Sequence, residues 1–207
     1  HAMGQRYPAV RVHLVEALSG HLTTMLNARQ LDLAILFRAD GARRWSVVPL
    51  LDEKLYVIGT PELPGMPAGP RVRLSQLRDL PLILPSPSHG LRALVDAAFA
   101  RQRIAPCVHL EVDGLSLLMD AVRAGLGATI QPGAAAARLA AGEVRRVLVA
   151  DALTGRRNLL ASLSDDELSS AALAARVVLG DVARALVREG RWVGATLSAE
   201  NARLLWV

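Results

Sequence analysis

Residues 82–102, LILPSPSHGLRALVDAAFARQ, run from a short apolar segment through a turn rich in proline and serine into a helix pattern. The apolar residues after the turn recur at helical spacing, namely Leu91, Leu94, Val95, Ala98 and Phe99. This spacing predicts a helix that begins near His89 and turns one face to a core. The order of strand, turn and helix is the repeating unit of α/β proteins.

The two serines of this turn have two interpretations. Ser86 and Ser88 precede a helix whose first amide groups lack partners within the helix, and such an end favours an anion. Their hydroxyl groups could add hydrogen bonds to that anion. Alternatively, one serine simply caps the helix, as serine often does without any ligand. The stretch by itself leaves both interpretations open.

Strand and helix patterns alternate upstream of this stretch. Residues 10–15 alternate like a strand with one buried face, and a helix containing residues 22–26 follows. The apolar run 33–37 favours an interior parallel strand, buried on both faces. Residues 45–60 supply further strand material, which is expected to break at Pro49.

The alternation continues downstream. Residues 107–112 alternate as a strand, and residues 115–122 carry the apolar stripe of a helix that ends before Gly125. A short buried strand is expected at 127–130. Strand, helix, strand and helix in this order predict an α/β protein with largely parallel sheets.

A long helix is predicted near the end of the chain. Ser164 with Glu167 three residues later forms a capping-box signature, and the apolar stripe that follows stops at Gly190. The acids at 165–167 would then lie in the first helical turn, where the helix dipole favours them.

Residues 61–70, PELPGMPAGP, are the clearest candidate for a boundary between domains. Proline and glycine are this dense nowhere else in the chain, and both disfavour regular structure. The segment is therefore interpreted as a loop or linker.

The composition indicates a globular chain that holds one large domain or two small ones. Hydrophobic residues make up 52% of its 207 residues, enough for a sizeable core. The longest apolar runs are far shorter than the ~20 residues that a membrane-spanning helix needs. Cys107 is the only cysteine, which excludes an internal disulfide and fits a reducing compartment. We therefore expect a cytoplasmic protein with no membrane partner.

The net charge of +5 comes almost entirely from arginine, since Lys54 is the only lysine beside 23 arginines. A nucleic-acid surface combines basic clusters with interleaved aromatic residues. Here the arginines are scattered and aromatic residues make up only 3% of the chain. The chain by itself is not expected to contact DNA or RNA.

The motifs of common enzymes and cofactor sites are missing or incomplete. The segment GLGATI lacks both the full glycine fingerprint of a nucleotide site and its acidic residue. The five histidines never pair at the spacing of metal ligands, and His13 and His109 fall on the polar phase of predicted strands. Cys107 has no partner in the pattern and is interpreted as structural. We therefore expect no catalytic residues, no metal and no cofactor.

Taken in order, these segments resemble the effector-binding domain of LysR-type transcriptional regulators. The likeness begins with RYPAVRVHLVEALSGHLTTMLNARQLDLAIL and continues through PLLDEKLYVIGTP, LSQLRDLPLILPSPSHGLRALVDAAF and VDGLSLLMDAVRAGLGATIQP to LVREGRWVGATL. It covers residues 6 to about 197. The family's winged helix-turn-helix, linker helix and first effector-domain strand have no counterpart in this sequence.

The resemblance implies an α/β fold of two lobes, each a mixed, largely parallel sheet flanked by helices. Two crossover strands would join the lobes, as in type 2 periplasmic binding proteins. Lobe I would comprise residues 5–65 and 160–207, and lobe II would comprise residues 66–159. The family's effector lies between the lobes.

The resemblance also implies which residues contact the ligand. The turn after the predicted strand 82–84 would contribute one group of contacts, and the ends of two other strands would contribute the rest. The expected ligand-binding residues are Ser86, Ser88, His89, Gly90, Phe37, Arg38, Thr129 and Gln131. All of these segments end at the carboxyl ends of strands, where ligands of open α/β folds bind.

By the same resemblance the chain is a sensory, non-catalytic module for a small anionic effector, expected to be a carboxylate. It would form a homodimer, and a tetramer in the full-length regulator, which would contact DNA only through its N-terminal domain. The alternatives are a solute-binding protein of a transporter and an enzyme on the same scaffold. The expected dimer interface pairs two helices through Leu22, Met25, Leu26, Leu91, Leu94 and Val95.

Overall fold

The computed structural model describes residues 1–17, 19–37, 45–152 and 154–198, and the chain divides into two compact units. Unit 1 comprises residues up to 52, residues 157–191 and the chain from 196 onward. Unit 2 comprises residues 53–156 and 192–195. The chain thus enters unit 2 at 52/53, before the boundary expected at 65/66, and leaves it at 156/157, close to the boundary expected at 159/160.

Five α-helices and nine strands make up the described part of the chain. In chain order they are α1 (Ala2–Arg6), α2 (Ser19–Asn27), β1 (Leu33–Leu36), β2 (Trp45–Gly59), β3 (Arg71–Val72), β4 (Leu82–Leu84), α3 (Gly90–Arg101), β5 (Val108–Glu111), α4 (Leu115–Arg123), β6 (Thr129–Pro132), β7 (Arg145–Val149), β8 (Gly155–Leu163), α5 (Ser170–Arg188) and β9 (Ala195–Leu197). Two short 3-10 helices cover Leu74–Leu77 and Gly133–Ala136.

The expected α/β class with mixed sheets is confirmed, but the strands are not largely parallel. In unit 1, β1 pairs antiparallel with β8. In unit 2, β2 pairs antiparallel with β6 and with β7, whereas β7 pairs parallel with β3 and β4 pairs parallel with β5. Parallel pairing was inferred from the alternation of strands and helices. That alternation gives no sign of the two long strands β2 and β8, in which the chain passes from one unit to the other.

Strand β1 corrects the expectation of an interior parallel strand at 33–37. Its burial alternates, and its buried residues Ala34 and Leu36 pack with Leu26 of α2 and Ala161 of β8. The other face is only half-buried. An apolar run therefore does not prove burial on both faces, because half-buried positions also accept apolar side chains.

Two further strand predictions were wrong. Residues 10–15 form no strand, and Leu14 is 86% exposed despite the alternating pattern. A strand needs a neighbour for its backbone groups, and none of the described strands pairs with this segment. Conversely, β2 continues through Pro49, because proline removes only its own N–H donor while its carbonyl accepts a hydrogen bond from Ser198 Oγ at 3.2 Å.

The predicted linker at 61–70 lies inside unit 2. Leu63 and Met66 are buried in the unit 2 core, next to residues of β2 and α3. Two apolar anchors thus fix a segment whose proline and glycine content suggested a flexible connection.

Strand β4 is the centre of unit 2 and is buried on both faces. Leu82 and Leu84 pack in a cluster with the buried face of α3, including Val95 and Phe99. Ile83 points to the other face, where the apolar stripe of α4 covers it with Leu118, Met119 and Val122. The helices predicted from residues 91–99 and 115–122 are both confirmed, and together they explain why the short LIL segment is entirely apolar.

The long helix α5 begins later than the capping-box pattern predicted. Its N-cap is Ser169, whose side chain accepts a hydrogen bond from the Ala172 amide at 3.2 Å. Ser164 does bond Glu167, but within a turn that precedes the helix. The acids at 165–167 therefore lie before α5 rather than in its first turn.

Candidate functional site

The turn at 85–89 connects the carboxyl end of β4 to the start of α3 in unit 2. On one side of β4 lies β5, which ends at Glu111, two residues before Asp113. On the other side lies the start of β6, because the Ile83 amide donates to the Ala128 carbonyl at 2.7 Å. The turn therefore stands where three neighbouring strands of unit 2 meet.

His89 caps α3. Its Nδ1 accepts a hydrogen bond from the Leu91 amide at 3.2 Å, so the alternative in which a serine caps this helix is wrong. A ring nitrogen that accepts a bond carries no proton, which requires the neutral form of the imidazole. Burial lowers the pKa of His89, the nearby Arg156 guanidinium lowers it further, and Asp113 opposes the shift.

Asp113 holds the turn to the end of β5. Its Oδ1 accepts from the Ser86 amide at 2.8 Å, and its Oδ2 accepts from Ser86 Oγ at 3.1 Å. These two bonds to Ser86, the backbone bond foremost, keep the pKa of the Asp113 carboxyl below its usual range. Both donors of Ser86 are therefore already paired with an anion from within the chain.

Ser88 completes a chain of hydrogen bonds. Ser88 Oγ and Ser86 Oγ lie 2.9 Å apart. A hydroxyl group has a single hydrogen, and that of Ser86 points to Asp113. Ser88 must therefore donate to Ser86, and the order of donation is Ser88 to Ser86 to Asp113.

Arg92 of α3 fastens the beginning of the turn. Its Nη1 donates to the Pro85 carbonyl at 3.0 Å and to Glu111 at 2.6 Å, while its Nε donates to Asp96 at 2.9 Å. The guanidinium is largely covered although both carboxylates are partly exposed. The turn is thus tied to β5 twice, through Asp113 and through Arg92 with Glu111.

The start of α3 leaves room for a ligand. Within the described residues the amides of Ser88 and Gly90 have no hydrogen-bond partner. A Cβ atom built on Gly90 would meet nothing within 4 Å. Ser88 and Gly90 are both exposed residues, so their unpartnered amides lie at the surface of unit 2.

Thr129 and Gln131 lie on β6 of the same unit but are buried. Thr129 is completely enclosed, and its Oγ1 has no hydrogen-bond partner among the described residues. Gln131 pairs in register with Tyr56 of β2. Neither side chain is as accessible as the turn itself.

The other two expected ligand contacts belong to unit 1. Phe37 follows β1 directly and is half-buried. Arg38 lies outside the residues that the structure describes.

A buried ion pair that the sequence did not predict stands near His89. Glu53 accepts from Arg156 Nε at 2.8 Å and from Trp192 Nε1 at 2.7 Å, and its side chain is almost fully enclosed. Burial lowers the pKa of Arg156, and Glu53 opposes this shift. All three residues belong to unit 2, and Arg156 acts electrostatically on His89.

Sequence reasoning missed Asp113, Arg92 and Glu111 as parts of this site. The only signal was the polar phase of the strand expected at 107–112, which includes Glu111 and reaches Asp113 if it is extended by one residue. That phase was interpreted as solvent-exposed. Which residue each carboxylate meets depends on contacts far along the chain, and the pattern carries no information on these.

The six residues of the expected dimer interface differ in burial. Leu26, Leu91 and Val95 are buried in the cores of their own units. Leu22, Met25 and Leu94 are half-buried, and Leu22 and Leu94 pack partly against those cores.

A cavity of about 1050 Å³ lies in unit 1. Its lining includes Arg29, Trp45 and the acids Asp165, Asp166 and Glu167. Arg29 pairs with Glu167, and Arg176 pairs with Asp165. The unit 2 turn offers unpartnered backbone donors at the carboxyl end of a strand, so chemistry rather than volume makes it the better candidate.

No cluster of three or more histidine, cysteine or acidic side chains in the described ranges could hold a metal ion.

No helix in the described part of the chain has the length and apolar character to cross a membrane.

Comparison with known proteins agrees with the fold. A family model described as the LysR substrate binding domain matches residues 1–184. The Synechocystis PCC6803 CcmR regulatory domain, solved in complex with 2-PG, superimposes with a TM-score of 0.77 at 21% sequence identity and covers 88% of each chain. This likeness confirms the periplasmic-binding-protein-like fold.

Two curated relatives are regulators. The nitrogen assimilation regulatory protein nac of Klebsiella aerogenes is 34% identical over 132 residues, which cover 64% of this chain and 42% of that protein. The HTH-type transcriptional regulator BbuR of Bordetella bronchiseptica is 30% identical over 200 residues, covering 93% of this chain and 59% of that protein. The chain spans about half the length of the curated relatives it matches. By its sequence and its fold, the chain belongs to the LysR substrate-binding domain family.

Proposed function

We propose that this chain is the effector-sensing domain of a LysR-type transcriptional regulator that acts in the bacterial cytoplasm. The family match and the two regulator relatives support this role. The module is non-catalytic: it binds a small molecule and, through differential affinity, shifts a conformational equilibrium of the whole regulator. A DNA-binding domain outside this chain responds to that shift.

We further propose that the effector binds at the turn of unit 2 and carries a carboxylate. The observation that supports this site most directly is the pair of unpartnered amides at the exposed residues Ser88 and Gly90, at the start of α3. Backbone N–H groups at a helix start favour negative charge. Ser86, Ser88, His89 and Gly90 would supply the contacts, with Phe37, Arg38, Thr129 and Gln131 as the further contacts expected from the family.

Isothermal calorimetry with a panel of small carboxylates tests this site. For any acid that binds, Ser88→Ala should weaken binding by roughly 0.5–1.5 kcal/mol, the usual net contribution of one hydrogen bond, because the Ser88 hydroxyl bonds Ser86 and so helps to hold the Ser88 amide in place. Ser75→Ala is the matched control, because Ser75 is an exposed serine elsewhere in unit 2. Unchanged affinity after bulky substitution of both Ser86 and Ser88 would place the effector elsewhere.

A further inference from the structure

The side chains of the turn can accept hydrogen bonds but have none left to donate. Ser88 donates its hydrogen to Ser86, Ser86 donates its hydrogen to Asp113, and an ionised carboxylate has no hydrogen at all. Asp113 also accepts from the Ser86 amide, and at least two of its four lone-pair positions remain. Lone pairs of all three side chains therefore remain available to a ligand.

A bare carboxylate cannot easily take the place of Asp113. The internal carboxylate is attached to the same chain and so competes at a high effective concentration, whereas a free ligand must lose translational freedom to bind. A second negative charge beside Asp113 is also repelled. Displacement would exchange two hydrogen bonds for two equivalent ones, with no gain to offset these costs.

A ligand that brings its own donor faces the opposite situation. An ammonium or hydroxyl group can bond to the open lone pairs of Asp113 without breaking either bond to Ser86. The ammonium group gains most, because a charge-assisted hydrogen bond is about twice as strong as a neutral one. The amides of Ser88 and Gly90 remain for the carboxylate of the same molecule.

We propose that Asp113 is a specificity-determining residue, which makes the turn select effectors that carry an ammonium or hydroxyl group beside the carboxylate, as amino acids and hydroxy acids do. The inference rests on the proposed function, since it assumes that the effector binds at this turn.

The test compares three acids with the same carbon skeleton: propionate, lactate and alanine. Each is titrated into ¹⁵N-labelled protein at pH 7 while the amide signals of Ser86, Ser88 and Gly90 are followed by NMR. We expect lactate and alanine to bind at least about tenfold more tightly than propionate, the factor that one good hydrogen bond provides. This comparison needs only the wild-type chain.

Asp113→Asn removes the charge while keeping an acceptor for the Ser86 amide, and it should reduce the preference for alanine over propionate about fivefold or more. Asp120→Asn on α4 is the matched control, because Asp120 is an exposed aspartate whose described partner is Arg123. The control should keep the wild-type preference.

Two results would overturn the inference alone: equal binding of all three acids to the wild type, or an unchanged preference in Asp113→Asn. In either case the turn would still bind ligand, and the proposed function would stand. If none of the three acids shifts the amide signals of Ser86, Ser88 and Gly90, both the inference and the proposed place of binding are overturned. The sensory role itself would then be decided by the calorimetric panel.

Discussion

At the scale of single residues, His89 is the part of the site that responds to pH. Its Nδ1 caps α3 only when the ring is neutral, and its pKa in the folded chain is lowered by burial and by Arg156. The unfolded chain, in which histidine titrates near 6.5, therefore binds the proton more readily. The sign follows from linkage: stability contributed by the neutral ring is complete above the unfolded pKa and decreases as pH falls below it.

We predict that His89→Asn reduces the loss of stability between pH 7 and pH 5. Asparagine also caps helices through a side-chain oxygen, but it does not titrate in this range. The measurement is the free energy of unfolding from urea titrations at pH 5, 6 and 7. His109→Asn, an exposed histidine on β5, serves as the control. Equal pH dependence in wild type and His89→Asn would show that another group is responsible.

At the scale of elements, α5 does not begin where the capping-box pattern predicts. Ser164 and Glu167 fit the capping box, yet the amide of Ala172 is capped by Ser169. The reason is that a capping box needs helical geometry at the following residues, and here residues 165–167 form a turn. A local sequence pattern can indicate several possible helix starts, and the packing of the helix determines which of them forms.

Ser169→Ala should destabilise unit 1 by about 1 kcal/mol, the typical cost of losing a helix N-cap. Ser164→Ala should change stability by less than about 0.5 kcal/mol, because its hydroxyl bonds an exposed carboxylate. Urea unfolding monitored by circular dichroism distinguishes the two variants. The reverse order of effects would mean that the capping box, and not Ser169, stabilises the helix.

At the scale of the whole molecule, the resemblance to the family leads us to propose that the chain dimerises through α2 and α3. Three of the six proposed interface residues are buried in the cores, whereas Leu22, Met25 and Leu94 are half-buried and keep part of their side chains exposed for a partner. A two-fold dimer repeats each contact, so one charged substitution acts at two points.

We expect a dimer in sedimentation experiments, and we expect Leu94→Glu or Met25→Glu to weaken it while circular dichroism stays unchanged. Leu117→Glu provides the control, since Leu117 is 65% exposed on α4, outside the proposed interface. A monomer at ~100 µM would count against the proposal, because interfaces of standard size commonly bind more tightly than micromolar.

The helices α3 and α4 and the strand β5 could be predicted because their periodicity records burial by local neighbours. The strand expected at 10–15 could not be judged this way, since the alternation does not show whether a partner strand exists. The site shows the same limit. Its turn was found from Ser86, Ser88 and His89, whereas the partner of Ser86 is Asp113, 27 positions along the chain. Pairings at that distance are set by the fold and leave no periodic trace.

The ion pair between Glu53 and Arg156 has a consequence for dissecting the protein. The two residues stand at the points where the chain enters and leaves unit 2, and Arg156 Nε lies 2.8 Å from Glu53 Oε2. Residues 53–156 thus form an insertion whose first and last residues are held together by an ion pair. A short peptide could replace this insertion, because closing a short loop between neighbouring ends costs little conformational entropy. Expression boundaries for unit 2 accordingly belong at 53 and 156, with residues 192–195 supplied as well, because Trp192 bonds Glu53. A cut at 61–70, where the proline-rich sequence invites one, would remove Leu63 and Met66 from the core they help to fill.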